Sequence, residues 1–300
     1  MKPSRLCFGS LTVSPLQCDL PVSQAAELFC YALEKGINFF DTAELYRNYD
    51  HFRAFFQQID RQNVFWASKC YAYDRETAKR SLALALDGAG TDYLDFFMLH
   101  EQESEHTLRG HAQAIDYFME MKAQGAIRHF GISTHFVAGA IAAAQDERIE
   151  AVHPIINLKG IGIADGTRQD MEAAIRQLRQ AGKFIYSMKA LGGGHLLNQY
   201  PQALEYALKL DVDAIAIGMQ SSEEVDHNLA AFQGEIDPEP VQKQRQLVID
   251  DWCIGCGRCA ERCQQKAITI RHGKAVVSPE RCVLCSYCVE ACPEFCIKVI

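Results

Sequence analysis

The sequence predicts an α/β protein built from a (β/α)8 barrel, also called a TIM barrel, followed by a small α+β domain. Three observations indicate this. Up to about Phe232, short apolar segments alternate with helical patterns, which is typical of βα units and a parallel sheet. The chain of 300 residues is long enough for a barrel and an appended domain. Finally, two closely spaced cysteine runs follow the last of these units.

Eight apolar segments are predicted as strands, and eight strand–helix pairs fit the ~250 residues of a usual barrel. The segments span residues 6–8, 37–40, 64–67, 93–99, 129–132, 151–155, 184–188 and 214–217. The helices after them are expected to begin near Ser23, Asn48, Arg75, Thr107, Phe136, Arg168, Gln199 and Ser222. Several of these positions, Ser222 among them, have a polar residue suited to capping a helix.

The segment GEIDPEPV is acidic, contains proline and has no hydrophobic pattern, so it is predicted to be a linker. We therefore divide the chain into a barrel at 1–233, a linker at 234–247 and a small domain at 248–300. In the small domain, AITI and AVV flank RHGK, which predicts a hairpin between the two cysteine runs.

Both cysteine runs have the spacing C-x2-C-x2-C-x3-C. The first is Cys253, Cys256, Cys259 and Cys263; the second is Cys282, Cys285, Cys288 and Cys292, followed by Pro293. This is the spacing of bacterial two-cluster ferredoxins, in which three cysteines bind the near cluster and the fourth reaches the other. The sequence thus predicts a ferredoxin-like domain with two [4Fe–4S] clusters. Cluster one is expected on Cys253, Cys256, Cys259 and Cys292, and cluster two on Cys263, Cys282, Cys285 and Cys288.

The two runs also repeat each other, as half-sites that share ligands would. Cys296 aligns with Ala267, so no ligand role is expected for it. Gln264 stands where the first run would usually have proline. Zinc and a disulfide framework are the alternatives. Zinc sites usually come as two separated C-x2-C pairs, and disulfides need a secreted chain.

Composition narrows the class of protein. A net charge of −8 argues against a nucleic-acid partner. No segment approaches the ~20 apolar residues of a membrane helix, so no membrane is expected. The beginning MKPSRLCFGS has no apolar signal-peptide core. With 13 cysteines, this predicts a reducing, cytoplasmic location.

Polar residues stand where predicted strands end. Asp41, Lys69 and His100 end the second, third and fourth strands, and Tyr46 follows Asp41 by about one helical turn. Catalytic residues of such barrels lie at these ends. Each residue alone is more often a structural hydrogen bonder. Together they predict an acid–base site, in which Lys69 lowers the pKa of Tyr46, Asp41 holds Lys69, and His100 contacts a substrate carbonyl or moves its proton.

Residues 1 to about 233 resemble the aldo/keto reductase family. The matching segments, in order, are FFDTAELY, ASK, DYLDFFMLH, GAIRHFGIST, LGGG and SSEEVDHN. The resemblance implies hydride transfer between a nicotinamide and a carbonyl, with tyrosine as proton donor. It places Asp41, Tyr46, Lys69 and His100 on the family's catalytic tetrad. With the cysteine-rich tail, the chain is similar to a branch that carries a C-terminal ferredoxin domain.

The resemblance also implies where a cofactor would bind. The candidates are Ser133, Asn157, Met188, Lys189, Gly192, Gly193, Gly218 and Asn228. The chain departs from the family at Thr134, at His153 and at Met188, which replaces a stacking tyrosine. Met219 and Gln220 replace the basic residues that hold the 2′-phosphate of NADP. NADH is therefore expected over NADPH. A flavin stays open as an alternative, because flavins accept both hydride and single electrons.

These observations predict an iron–sulfur oxidoreductase of the aldo/keto reductase type. It would act on a carbonyl or alcohol substrate with Tyr46 as acid–base and the clusters as electron relay. The first alternative is an electron-transfer protein whose barrel is a docking or cofactor scaffold and whose partner is a separate ferredoxin or flavoprotein. In the second alternative, the clusters only fasten the tail to the barrel. His153 and His195 are expected to be structural.

Overall fold

Eight parallel strands close into a barrel in chain order. The structure is a computed structural model that describes residues 2–239, 241 and 246–299. The strands are β1 (Leu6–Gly9), β2 (Phe39–Asp41), β3 (Phe65–Cys70), β4 (Leu94–Leu99), β5 (Ile127–Thr134), β6 (Ala151–Pro154), β7 (Phe184–Ser187) and β8 (Ala214–Gly218). Each overlaps a predicted strand, and the (β/α)8 prediction is confirmed.

Helices connect the strands around the outside of the barrel. They are α1 (Val22–Glu34), α2 (Tyr49–Phe56), α3 (Arg75–Ala89), α4 (Glu105–Gly110), α5 (Ala112–Ala123), α6 (Val137–Gln145), α7 (Arg168–Gln180), α8 (Tyr200–Lys209) and α9 (Ser222–Phe232). One helix was expected from Thr107, but α4 and α5 are separated at His111. There the ring Nδ1 lies 2.6 Å from the Thr107 carbonyl oxygen, and φ is −102°.

The barrel interior is a packed core. Phe39, Phe96 and Tyr186 meet there, and the ring centroid of Phe39 lies 5.4 Å from that of Phe96 and 5.0 Å from that of Tyr186. Large side chains therefore fill the interior, as in other barrels of this type. The filled interior leaves room for a ligand only at the ends of the strands.

Two small antiparallel sheets and two short helices make up the second domain. The elements are β9 (Leu247–Ile249), α10 (Arg258–Arg262), β10 (Ile268–Arg271), β11 (Lys274–Val277), α11 (Tyr287–Glu290) and β12 (Ile297–Val299). Strand β9 pairs with β12, and β10 pairs with β11 as the hairpin expected between the cysteine runs. The small α+β domain is thus as predicted.

The division at 1–233, 234–247 and 248–300 stays a prediction. Helix α9 ends at Phe232 and β9 begins at Leu247, but linker residues 240 and 242–245 lie outside the described residues. Within the described part of the chain, no helix combines the length and apolar character needed to span a membrane.

Candidate functional site

A buried ion pair lies at the carboxyl ends of β2 and β3. Lys69 Nζ donates to Asp41 Oδ1 and to the Thr42 carbonyl oxygen, both at 2.6 Å. The Tyr186 hydroxyl donates to the same Asp41 oxygen at 2.9 Å. The side chains of Lys69 and Asp41 are 1% and 6% exposed. Since buried charges need partners, each of these two residues fixes the position of the other.

Tyr46 lies on the short 3₁₀ turn Glu44–Tyr46, directly after β2. Its ring faces Lys69, with Nζ 5.5 Å from the ring centroid. Burial raises the pKa of Tyr46 well above its usual value, and the Asp41 and Glu101 carboxylates raise it further. A hydrogen bond from Tyr287 in α11 opposes this rise. Lys69 was expected to lower this pKa, but its ammonium group is directed to Asp41 and lies over the ring.

His100, the fourth catalytic candidate, follows the carboxyl end of β4. Its ring lies edge-on to Tyr46, with centroids 6.1 Å apart, and stacks on Tyr71 at 4.6 Å. Burial, followed by the charge of Lys69, holds the pKa of His100 well below its usual value. The ring is therefore neutral at physiological pH and can donate or accept a hydrogen bond. The structure thus brings the four candidate catalytic residues together.

A second buried network connects this site to the small domain. The Tyr71 hydroxyl donates to Glu101 Oε2 at 2.7 Å and lies 3.1 Å from Gln264 Oε1. Gln265, the next residue, contacts the ring of His135. No motif in the sequence points to Tyr71 or Glu101. The only signal was Gln264, which replaces the proline expected after the first cysteine run.

A cavity of 480 Å³ opens at the ends of β1, β2, β7 and β8. Asp41 and Tyr46 line it, and Val283 and Leu284 of the small domain line it as well. Because Val283 and Leu284 lie between Cys282 and Cys285, the cavity adjoins both the catalytic candidates and the cysteines expected to hold cluster two.

Four of the eight cofactor candidates line this cavity, namely Met188, Lys189, Gly193 and Gly218. The other four are engaged elsewhere. Ser133 accepts a hydrogen bond from the Glu101 backbone, Asn157 bonds to the backbone of Ile161, Gly192 packs beside Leu196, and Asn228 donates to the Glu224 carbonyl.

His153 lies deeper in the same cavity. Its Nδ1 lies 2.6 Å from the Tyr186 carbonyl oxygen, and its Nε2 lies 4.0 Å from Asp41 Oδ1. Burial lowers the pKa of His153 to about 3, even though the Asp41 carboxylate acts in the opposite direction. A neutral His153 thus supports the floor of the site. His195 is placed differently, since its side chain hydrogen-bonds the backbone of Cys282.

The small domain is seated on the mouth of the barrel. A β-carbon at Gly193, where φ is 73°, would collide with the carbonyl oxygen of Val283, so glycine is required for this approach. Gln17 donates to the Leu284 carbonyl oxygen at 3.1 Å, and Arg47 forms an ion pair with Glu290. These contacts place the second cysteine run directly above the cavity.

The cysteines group as the ferredoxin spacing suggests. A small cavity at the outer end of the domain is lined by Cys253, Cys256, Cys259 and Cys292, the four expected on cluster one. Cys296 also lines it, with its Sγ 3.3 Å from that of Cys292.

The other four cysteines lie near one another at the inner end. Burial, and then the neighbouring thiols of Cys285, Cys282 and Cys263, raise the pKa of Cys288. Each set therefore presents four thiol ligands of the kind that iron–sulfur clusters take. Over the described residues, no three His, Cys, Asp or Glu side chains are arranged to hold a single metal ion.

Comparison with known proteins gives two matches along the chain. Residues 5–202 match the aldo/keto reductase family, and residues 246–293 match a 4Fe-4S dicluster domain. Among curated relatives, the mouse aldo-keto reductase family 1 member C21 is 32% identical over 103 residues, which cover 32% of this chain and 31% of the mouse protein. An aldo-keto reductase of Mycolicibacterium paratuberculosis is 25% identical over 236 residues, covering 70% and 77% of the two chains.

Oxidoreductase YdhF of Escherichia coli is 26% identical over 216 residues, covering 62% of this chain and 67% of its own. The match thus spans about a third of the mouse relative, and 77% and 67% of these two bacterial ones. Solved structures show the same fold. The holo form of an aldo-keto reductase from Bacillus halodurans has a TM-score of 0.64 at 19% identity, covering 81% of this chain and 95% of its own.

Aldose reductase from Giardia lamblia has a TM-score of 0.59 at 15% identity, covering 77% and 88% of the two chains. These structural likenesses concern the barrel fold alone. The match over residues 5–202 covers more than half of the chain. The chain therefore belongs to the aldo/keto reductase family and also carries a 4Fe-4S dicluster domain.

Proposed function

We propose that the barrel site and the inner cluster act as one redox unit that reduces or oxidises a carbonyl or alcohol substrate. One observation carries this proposal. The 480 Å³ cavity is lined on one side by Asp41 and Tyr46 and on the other by Val283 and Leu284. A molecule bound in this cavity would contact the acid–base group and the loop around cluster two at once.

Within this site, Tyr46 would exchange the proton with the substrate oxygen. Asp41 holds Lys69 beneath the tyrosine ring, so the charge next to the reacting group is fixed before substrate arrives. His100 is neutral and buried, and its Nδ1 has no hydrogen-bond partner among the described residues. It is therefore suited to orienting a carbonyl oxygen.

The lining of the cavity supports a dinucleotide without a 2′-phosphate. Gln220, Glu223 and Glu224 line its far end, close to β8. Carboxylates at that position favour the ribose hydroxyls of NADH, whereas the 2′-phosphate of NADPH would need a basic partner. NADH is thus the preferred hydride donor. A flavin remains the alternative occupant, because it connects two-electron and one-electron chemistry.

The eight cysteines of the two runs would hold two [4Fe–4S] clusters, which supply one-electron transfer when bound. Cys263, Cys282, Cys285 and Cys288 surround the inner position, and the half-buried Lys189 lies within electrostatic reach of Cys285 and Cys282. A cation at this point would stabilise a negative charge on a molecule in the cavity and on the inner cluster.

A second function is favoured by how the tetrad is covered. Tyr71 of the barrel, which contacts Gln264, stacks on His100. Tyr287 of the small domain hydrogen-bonds Tyr46, so both residues are covered on their outer side. If this closure is permanent, only a cofactor in the cavity reaches the site. The chain would then pass electrons between that cofactor and the clusters without a carbonyl substrate.

Two measurements test the proposal. Anaerobic titration of cluster-loaded protein with NADH and then NADPH, followed by cluster bleaching and electron paramagnetic resonance, should show reduction by NADH. Tyr46→Phe should lose ~10²-fold or more of carbonyl turnover, the usual contribution of an acid–base group, while NADH still reduces the clusters.

Tyr206→Phe is the matched control, because it also removes a tyrosine hydroxyl, one that donates to Glu172 at 2.6 Å between the outer helices α8 and α7. If dithionite reduces the clusters and neither nucleotide does, the barrel and the clusters are not coupled. Unchanged turnover in Tyr46→Phe would favour the electron-transfer function instead.

A further inference from the structure

Large apolar side chains are exposed at the outer end of the small domain. Trp252, Ile254 and Phe295 are 56%, 61% and 81% exposed. Ile254 lines the same small cavity as the cysteines expected on cluster one, and Trp252 Nε1 donates to the carbonyl oxygen of Glu294, next to Phe295. Together with the exposed Cys256, these residues form one surface, which we call the outer face.

Phe295 is the most informative residue of this face, because neither burial nor backbone conformation explains it. Its φ is 50°, in the left-handed region that disfavours bulky side chains. The internal repeat places Lys266, also at φ 50°, in the corresponding turn of the first run. The turn itself therefore imposes the left-handed conformation, and in the first run an exposed lysine adopts it. An exposed phenylalanine kept at such a position indicates a contact made outside this chain.

The charges around the outer face differ from those of the whole chain. Arg258, Arg271 and Lys274 are exposed here, and Lys274 Nζ donates to the carbonyl oxygens of Asp251 and Cys253. Lys298 lies over the Trp252 ring and pairs with Asp250, and the acidic side chains of Asp251 and Glu294 also lie nearby. Because the chain as a whole carries −8, an acidic protein is repelled at long range by most of the surface. Arg258, Arg271 and Lys274, which we call the cationic rim, give an acidic protein one favourable direction of approach.

We propose that the outer face docks a small one-electron carrier protein with an acidic surface. The apolar side chains would supply contact area and the cationic rim would supply orientation. Each encounter transfers one electron between the carrier and cluster one, so one centre is oxidised and the other reduced, and no bond or proton changes. The proposal rests on the proposed function, in that the inner cluster faces the barrel and leaves the outer one for exchange with a partner.

The test uses the full cluster-loaded chain and an acidic flavodoxin as the carrier. Stopped-flow mixing with reduced flavodoxin measures the second-order rate of cluster bleaching, and calorimetry with oxidised flavodoxin measures binding without electron transfer. Raising the salt from ~0.05 to ~0.5 M should slow the reaction about tenfold, since screening shortens the range of attraction. Arg271→Glu and Phe295→Asn should each slow it about tenfold and weaken binding in parallel.

Phe295→Asn is the sharper variant, because asparagine tolerates the left-handed region. Its thermal stability should equal or exceed that of the wild type, so a slower reaction cannot come from misfolding. Dithionite should reduce the clusters of every variant at the wild-type rate. Leu84→Asn is the matched control, because Leu84 is an exposed apolar residue of the barrel helix α3, at 49% exposure.

Wild-type rates and affinities in both outer-face variants would overturn the proposal. So would a change of oligomeric state in Phe295→Asn, since the face would then bind a second copy of the chain. Failure of the proposed function is distinguishable, because NADH titration reports it separately. Phe295→Asn should keep NADH-dependent cluster reduction, whereas a chain without barrel–cluster coupling would dock flavodoxin and ignore NADH.

Discussion

Removing one member of the Asp41–Lys69 pair should destabilise the barrel more than removing both. In Asp41→Asn, the Lys69 ammonium, 1% exposed, keeps only the Thr42 carbonyl oxygen at 2.6 Å as a strong partner. In Lys69→Met, the Asp41 carboxylate keeps the Tyr186 hydroxyl at 2.9 Å. Each variant leaves a buried charge without its counter-ion, which costs about 3–5 kcal/mol.

The double variant Asp41→Asn with Lys69→Met buries no charge. Its cost should be smaller than either single cost, so the coupling energy between the two positions should exceed ~2 kcal/mol. For a chain of this size, ~4 kcal/mol corresponds to a fall in Tm of roughly 10 °C. Differential scanning calorimetry of the anaerobic, cluster-loaded protein measures these shifts directly.

Glu120→Gln is the control for this cycle. It removes the charge from an ion pair with Arg75 in which both side chains are about half exposed, and Tm should not change within error. If the two single variants lose little stability and their effects add in the double variant, the buried pair does not hold the site together, and the positioning role given to Asp41 is wrong.

Three further substitutions test the boundary between the barrel and the small domain. Tyr287→Phe removes the hydroxyl that hydrogen-bonds Tyr46 and opposes the rise in its pKa. The alkaline limb of the turnover profile should therefore move to higher pH, with unchanged cluster spectra. Leu284→Gly loses a side chain that is 2% exposed but sits at a φ of 50°. We expect a loss of ~1–4 kcal/mol in calorimetry, from ~2–5 lost in packing and ~1 regained from backbone strain, and slower NADH-dependent cluster reduction. His135→Gln tests pH dependence, because burial lowers the pKa of His135 from 6.5 to about 4. The unfolded chain binds this proton more readily, so the histidine costs stability as pH falls below 6.5. At pH 5 the wild type should lose about 2 kcal/mol that the variant keeps, as measured by Tm against pH.

Each of these has an outcome that contradicts it. An alkaline limb that stays in place in Tyr287→Phe would mean that the two hydroxyls do not interact in solution. Unchanged NADH-dependent cluster reduction in Leu284→Gly would mean that this side chain does not couple the cavity to cluster two. Equal slopes of Tm against pH in His135→Gln and wild type would mean that this ring is solvated or charged in the folded protein.

The sequence predicts the barrel well because its signals are local. Each strand is an apolar segment followed by a helical pattern, and the eight repeats leave few other folds. The acid–base candidates follow from the same reasoning, since Asp41, Lys69 and His100 end neighbouring strands, and parallel strands bring their carboxyl ends to one rim. The break between α4 and α5 escapes prediction because it depends on one ring–carbonyl contact at His111.

The contacts between the two domains could not be predicted from the sequence, for a physical reason. The Tyr71–Gln264 contact joins residues 193 positions apart, and the Gln265–His135 contact joins residues 130 apart. No periodicity records such pairs, because they depend on how two folded bodies fit together. In the sequence, Tyr287 is one of the residues between the ligand cysteines. Its contact with Tyr46 depends on how the small domain packs on the barrel.

The two cysteine runs are nearly equivalent in spacing, yet the structure gives them different surroundings. In the first run, the left-handed positions between cysteines are Gly255 and Gly257; in the second they are Leu284 and Ser286. Glycine takes this conformation without strain. Side chains there cost energy unless packing returns it, and Leu284 and Ser286 are both buried, with Leu284 lining the barrel cavity.

This difference supports the proposed relay between an inner and an outer cluster. The second run has strained backbone at Leu284 and Ser286 and packs the adjacent Val283 and Tyr287 against the barrel. The first run keeps glycines at these positions and leaves Cys256 exposed. If the clusters only fastened the tail to the barrel, burial of one end would suffice and the other would need no apolar, cationic surface. The asymmetry instead fits an inner cluster adapted to the cofactor cavity and an outer cluster adapted to a partner.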